Sequence, residues 1–450
     1  MMSPLQTMIR EHHAGAPVGL YSVCCSNEQV LLASMSVALE YGGAMLVEAT
    51  SNQVDQFGGY TGMTPADYIA YVRDLADGAG FPRDRLILGG DHLGPNTWQH
   101  LPPGLAMANA CDLIAAYVLA GFHKIHIDCS MACAGDPVPL PDDIVASRSA
   151  DLAQVAEDAA ARAGLPPPVY VIGTEVPIPG GEASLADGLQ VTRPEAAAAT
   201  LEAHTRAFAS RGLHAAWERV IALVVQPGVD FDHSTVHHYA PADAAELSAF
   251  IGRHPGLVYE AHSTDYQTER ALHALVRDHF AILKVGPAAT NALREASFAL
   301  AAIEDALVPV ERRSHLADVL ERSMLEQPRH WQKHYRGTPD ELRMLRRYAL
   351  SDRSRYYWGE PAVARALDRM HANLAGMDLP LPLVSQHLPE QLAAVLDGTL
   401  PARATDLVRH KIGLVLARYA RACHANTAGA ARPAGVAQTA EQAPAAEAVC

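Results

Sequence analysis

Asp91 and His92 follow a short apolar run, Leu86-Ile87-Leu88, that passes through two glycines and ends in a Gly-Pro-Asn turn. A carboxylate next to an imidazole can help hold a divalent cation and move a proton beside it. Other apolar runs end in the same kind of residue. Asp128, Glu175, Gln226, Glu260 with His262, and Lys284 each stand where such a run gives way to a loop. An apolar run bounded by turn residues reads as a buried strand. Parallel α/β sheets and barrels carry their chemistry at the C-terminal ends of such strands.

Eight runs rich in β-branched and apolar residues position these groups, at 18–25, 44–51, 85–91, 124–128, 169–176, 219–226, 257–262 and 281–285. Helical patterns separate nearly all of them, which implies βαβ units and a parallel sheet. Eight units over this length fit an α/β (β/α)8 TIM barrel spanning residues 1–305. Thr64-Pro65 reads as an N-cap with proline at the first helical position, and Pro194 opens an Ala-rich helix that Gly212 closes. A helical extension packed on the barrel is expected over 306–424. It carries the charged run Glu341–Arg347, read as a solvated helix face, and the segment Ser351–Trp358. Arg353, Arg355, Tyr356 and Trp358 of that segment either reach the mouth or pack the extension. The tail 425–450, rich in Ala, Pro, Gly and Gln, has little to bury and is expected to be disordered.

Composition narrows the function. The 450 residues are 49% apolar and carry a net charge of −15, which argues against a nucleic-acid binder. No stretch reads as a membrane span and the N-terminus lacks a signal-peptide layout, so a cytoplasmic protein is expected. Seven scattered cysteines do not make a disulfide framework, and Cys129 and Cys133 read as reduced packing residues. No GxxxxGK[ST] loop is present, nor a GxGxxG after a strand, which removes the main support for nucleotide chemistry.

Side chains alternate along a strand, so residues two apart share a face. This groups Glu48 with Asn52, His92 with Leu88 and Gly90, and Lys124 with His126 and Asp128. It also groups Glu175 with Val171, Gln226 with Val224, Glu260 with His262, and Lys284 with Ile282 and Gly286. A barrel mouth holding about ten polar groups needs a partner for them, since burying them unpaired is costly. A divalent metal, zinc or manganese, cobalt or nickel, is the economical one. His92, Glu175 and His262 are read as its ligands; Glu175 could serve instead as a base, and His233 in the loop DFDHS could also reach in. Asp91 is read as the acid/base, with Asp128 a second candidate. Lys284 could in principle form a Schiff base, but Glu260 beside it favours a charged, ion-paired lysine. Ser263, Thr264, Asp265 and Gly286 lie near the ends of strands seven and eight, where barrels hold phosphate. Asn52, Gln226, His233 and Lys284 complete the expected substrate contacts.

Several stretches are also familiar. VEATSNQVDQFGGYTGMTPAD (47–67), LGGDHLGPN (88–96), KIHIDCSMACAGDP (124–137), GTEVPIPGGEAS (173–184), VVQPGVDFDHS (224–234), YEAHSTDYQT (259–268) and FAILKVGPA (280–288) resemble the Z-type subunit family of D-tagatose-1,6-bisphosphate aldolase. The resemblance covers about residues 5–423. It implies a place in galactitol and N-acetylgalactosamine catabolism and a TIM barrel like that of class II, metal-dependent aldolases. In such enzymes an Asp-His pair like Asp91-His92 supplies the acid/base and a ligand, and a histidine like His262 supplies another. Gln226 stands where their strand-six histidine ligand would be, so the site would be completed by Glu175, Gln226 or His233. The resemblance implies one of two roles. One is an epimerase inverting C4 of tagatose 6-phosphate and fructose 6-phosphate by retro-aldol cleavage and recombination. The other is a non-catalytic companion that stabilises a separate class II aldolase subunit. The enzyme is the expectation, with a ketohexose phosphate as substrate and an oligomeric assembly; a kinase is not expected.

Overall fold

The computed structural model describes residues 3–174 and 189–424. Eight parallel strands close into a barrel: β1 Leu20–Val23, β2 Met45–Thr50, β3 Leu86–Leu93, β4 Lys124–Ile127, β5 Val169–Ile172, β6 Val220–Val225, β7 Val258–Ala261 and β8 Ile282–Val285. Each pairs with its sequence neighbours, and β1 closes the ring by pairing with β8 from Leu20↔Ile282 to Val23↔Val285. The expected TIM barrel is present, with helices around it and a helical C-terminal part.

Three layers fill the barrel from bottom to top. The lowest is apolar: Leu20, Leu46, Ile87, Val171, Ala222, Val224, Val258 and Ile282 pack together, and Leu5 and Ile9 of the helix Pro4–His13 plug the floor. Two residues further along the strands the composition changes. Ser22, Glu48, Lys124, Glu260 and Lys284 form a buried ionic layer. Lys124 Nζ lies 2.6 Å from Glu48 Oε1 and 2.7 Å from Glu260 Oε2. Lys284 Nζ bonds Glu48 and lies 3.2 Å from Glu260 Oε1. Gly89 sits in register with Glu48, and a Cβ there would fall 2.7 Å from Glu48 Oε1. Only glycine leaves room for that carboxylate.

The uppermost layer holds Asp91, His92, His126, Asp128 and His262, and β3 departs here from simple alternation. Ile87 faces the interior with Leu46, so Gly89 and Asp91 share the inward parity. His92 shares the outward parity of Leu88 and Gly90, which corrects the expectation that this set faces the barrel interior. It still enters the mouth because its φ of +50° turns the backbone over, and the pairing of β3 with β4 shifts between Gly90 and Leu93.

The surrounding helices follow their end signals. Thr64 and Asp67 form a capping box for Pro65–Gly78, and the Ala-rich helix runs Pro194–Ser210 before Gly212 at φ +71°. By length and composition the barrel-wall helix Pro103–Ala120 could cross a membrane, contrary to the reading that no such stretch exists; here it packs beside Asp142–Ala163. Past the helix Pro287–Leu307, further helices build the C-terminal part, ending in Ala404–Cys423, which packs against Glu28–Tyr41 and Pro287–Leu307. The charged run in Pro339–Tyr348 is not wholly solvated. Arg346 is buried, paired with Glu321 at 2.6 Å and laid over Trp331.

A buried charge that loses its partner is far costlier than a lost surface pair. Lys124→Met, which leaves the buried Glu48 and Glu260 to share Lys284 as their one cation, is expected to lower the unfolding free energy by about 3–5 kcal/mol in urea titrations. Lys411→Met, which breaks partly exposed pairs with Glu295 and Glu390, should cost less than about 1 kcal/mol.

Candidate active site

Three imidazoles from three strand ends meet at the barrel mouth. The ring centroids of His92 and His262 lie 4.8 Å apart, those of His92 and His126 5.0 Å, and those of His126 and His262 5.1 Å. One ligand-capable atom from each, together with one from Asp91, falls within 4.8 Å of the others. Every ring is also held by its own carboxylate. His92 Nδ1 lies 2.8 Å from Asp128 Oδ2, His126 Nδ1 2.8 Å from Asp91 Oδ1, and His262 Nε2 3.1 Å from Glu260 Oε1.

An ionised carboxylate only accepts, so each of these ring nitrogens carries the proton and the other keeps its lone pair. For His126 a second group points at Nδ1, the His92 N–H at 3.1 Å. The shorter, charge-assisted bond to Asp91 decides the tautomer. Nε2 of His126 is then a buried lone pair with no hydrogen-bond partner among the described residues. An unpaired buried nitrogen on one of three clustered imidazoles is what a metal ion would satisfy.

The charges point the same way. Glu48, Asp91 and Glu260 surround the two ammonium groups of Lys124 and Lys284, and Asp128 adds a fourth carboxylate behind His92, which leaves an excess of two negative charges with the imidazoles neutral. Burial pushes His262 down to about 3, more than Glu260 and Asp91 restore, so it is neutral at physiological pH. Burial also works against His92, but Asp91 and Asp128 raise it above its ordinary value. Burial would lift the Asp91 carboxyl, yet Lys284, His92 and the His126 hydrogen bond hold it well below the usual carboxylate range. Asp91 Oδ1 is committed to Lys284 and His126, each at 2.8 Å. Among the described residues Oδ2 meets only the Cys24 thiol at 3.6 Å and His92 Nε2 at 3.8 Å, which leaves it free to take a substrate proton.

The cavity above this cluster brings together many of the residues expected from the sequence. Asn52, Asp91, His92, His262, Ser263, Asp265, Lys284 and Gly286 all line it. Ser263 adopts φ +53°, a second non-glycine residue at the mouth in left-handed backbone. Other residues are placed elsewhere. Asp128 stands behind His92, with its second oxygen accepting from Ser130 N and Oγ at 3.0 and 2.6 Å, so it positions that ring. Gln226 turns its Oε1 onto the N–H groups of Gly228 and Val229, which caps its own loop. His233 is bound at both nitrogens, to Ser351 Oγ and His334 O, and anchors the extension. Glu175 lies outside the described residues, as does the tail 425–450. His126 joins the histidine cluster although it was not among the expected ligands; the spacing of KIHID puts it on the inward face. From the extension, Arg355 and Tyr356 line the cavity, whereas Arg353 binds His330 O and Trp358 is packed away from it.

Residues 5–424 match the family described as D-tagatose-1,6-bisphosphate aldolase subunit GatZ/KbaZ-like. A protein from Sinorhizobium meliloti 1021 described as a probable tagatose 6-phosphate kinase is 46% identical, with a TM-score of 0.84, over 90% of this chain and 100% of its own. More distant are the YdjI aldolase of Escherichia coli K12, at 11% identity and TM-score 0.40 over 84% of this chain and 100% of its own, and the fructose-bisphosphate aldolase of Campylobacter jejuni, at 11% and 0.43 over 89% and 96%.

Two measurements probe the site's electrostatics. Burial alone would lower the Lys284 ammonium, but Asp91, Glu260 and Glu48 hold it well above its ordinary value. Borohydride treatment in the presence of a ketose phosphate is therefore expected to leave no mass adduct on Lys284. Asp265 behaves in the opposite sense. Burial raises its carboxyl to about 6 despite the N–H groups of Ala288 and Gly286, whereas the unfolded value is about 3.9. The stability this gives is complete below pH ~4 and lost as pH rises through about 6. Asp265→Asn should match the wild type in urea titrations at pH 4 and exceed it by about 2 kcal/mol above pH 6.

Proposed function

The chain belongs to the D-tagatose-1,6-bisphosphate aldolase subunit GatZ/KbaZ-like family, and from that premise we propose that it performs metal-dependent retro-aldol chemistry on a ketohexose phosphate. The reaction we favour is C4 epimerisation between tagatose 6-phosphate and fructose 6-phosphate. One observation carries the proposal: three carboxylate-held imidazoles and a poised aspartate converge in a buried mouth. A purely structural subunit has no physical need of such a group.

His92, His126 and His262 would hold the divalent ion, zinc or manganese, cobalt or nickel, and the open mouth leaves room for substrate oxygens. When bound, the ion supplies Lewis acidity toward the negative charge that develops at C2 and C3 of the sugar. Asp91 Oδ2 takes the proton of the C4 hydroxyl as the C3–C4 bond breaks. The bonding pair passes to the three-carbon ketose fragment as an enediolate, and C4 leaves as an aldehyde. Lys284, held between Asp91, Glu260 and Glu48, keeps a fixed positive charge beside the reacting oxygens. Rotation of the aldehyde and re-addition through its other face return the proton from Asp91 and invert C4. Release of the fragments instead would be simple aldol cleavage.

The word "subunit" in the family description favours a second reading, in which this chain supports a separate aldolase. The chain alone, supplied with manganese, nickel or zinc and fructose 6-phosphate, is expected to yield tagatose 6-phosphate. Asp91→Asn and His92→Ala should each lower kcat by at least 100-fold. No turnover alone, combined with stabilisation of a co-expressed aldolase, would establish the companion role instead.

A further inference from the structure

A phosphorylated substrate needs a place for its phosphate, and the usual one in this fold is already filled. TIM barrels commonly seat phosphate at the loops after strands seven and eight, on a helix N-terminus. Here Asp265 Oδ1 accepts the N–H groups of Gly286 and Ala288 at 3.0 and 2.8 Å, at the start of Pro287–Leu307. Thr264 Oγ1 donates to Lys284 O at 2.5 Å. A carboxylate in that cradle both consumes the donors and repels a dianion.

The same cavity has a cationic side. Arg355, in the turn Arg353–Tyr357 of the C-terminal part, lines it beside Tyr60 and Tyr356. Its Nη1 donates to the carbonyl oxygens of Ser351 and Asp352, and Nη2 to the Tyr356 hydroxyl at 2.9 Å. The neighbouring acid is committed elsewhere: Asp352 binds Arg294 at 2.9 Å and Thr290 at 2.5 Å. Among the described residues no carboxylate pairs with Arg355 or with Arg353 behind it. Arg353 is 5% exposed, and its Nε has no hydrogen-bond partner. Two adjacent guanidinium groups, partly or wholly buried without counter-charge, are costly unless an anion joins them. The planar fork of arginine matches phosphate oxygens.

We propose that Arg355 receives the phosphate ester of the substrate, so that the C-terminal helical part rather than the barrel selects phosphorylated over free ketohexoses. The assignment rests on the ketohexose-phosphate reading above. It makes Arg355 a specificity residue whose removal acts on binding more than on bond cleavage.

Calorimetric titration of the purified, metal-loaded chain with fructose 6-phosphate and with fructose tests it. Arg355→Met is expected to weaken fructose 6-phosphate binding at least tenfold and to raise KM more than it lowers kcat, with fructose affinity unchanged. Arg355→Lys, which keeps the charge without the fork, should lose three- to tenfold. Unchanged fructose 6-phosphate affinity in Arg355→Met, or an equal loss for both sugars, overturns the proposal. If Arg355→Met does not fold, an unaltered preference for the phosphorylated sugar in Arg355→Lys overturns it as well. Wild-type binding without C4 inversion would remove the proposed activity but not the role of Arg355. An undiminished kcat/KM for inversion in Arg355→Met would do the reverse.

Discussion

The ionic layer beneath the mouth is the constraint on which the rest of this barrel depends. Lys124 and Lys284 sit among Glu48, Glu260 and Asp91 with almost no access to water. Such a cluster does little for stability by comparison with apolar packing, and it is intolerant of losing any member. Its value is positional. The same carboxylates that neutralise the lysines also aim His126 and His262, so charge balance and ring orientation are fixed by one set of contacts. Apolar packing below and ion pairing above let the strands change character over two residues while every charged group of the ionic layer keeps an opposite charge beside it.

Above that layer, strain and electrostatics share the work of building the mouth. His92 is held in left-handed backbone, and Asp128 fixes its ring from behind. Gly94 allows this loop to come close: a Cβ there would overlap the Asp128 carbonyl oxygen at 1.8 Å. The residues that would meet a substrate therefore come from rigid strand ends, while those that would recognise its periphery come from loops and from the C-terminal helices. The acid, the three imidazoles and the guanidinium gathered around the mouth are drawn from four separate parts of the chain.

Much of this was legible in the sequence because period-two alternation survives wherever a strand is regular. β4, β7 and β8 placed Lys124, His126, Glu260, His262 and Lys284 inward as their spacing dictates, and the eight apolar runs announced the barrel. β3 was misread because one positive φ reverses the parity, and alternation has no means of showing where that happens. His233 looked available because a loop side chain's partner can lie far away in sequence; Ser351 and His334, which hold it, are more than 100 residues distant, whereas Gln226 is taken up by the N–H groups of its own loop. The same distance hid Arg355 and Tyr356. Nothing local distinguishes an arginine that roofs a cavity from one that packs a helix. Arg346 shows the converse, a charged-run residue that a distant glutamate and tryptophan draw into the core.

The C-terminal part also ties off the beginning of the barrel. Gly19 N donates to Cys423 O at 3.0 Å, and Val18 bridges His424, so the chain's first strand is seated against its last described residues. A nascent chain emerging from the ribosome would have all eight strands available long before this clasp could form. Completion of the enclosure would then be a late event in biosynthesis, with the segments around Val18 and Cys423 acting together as its fastening.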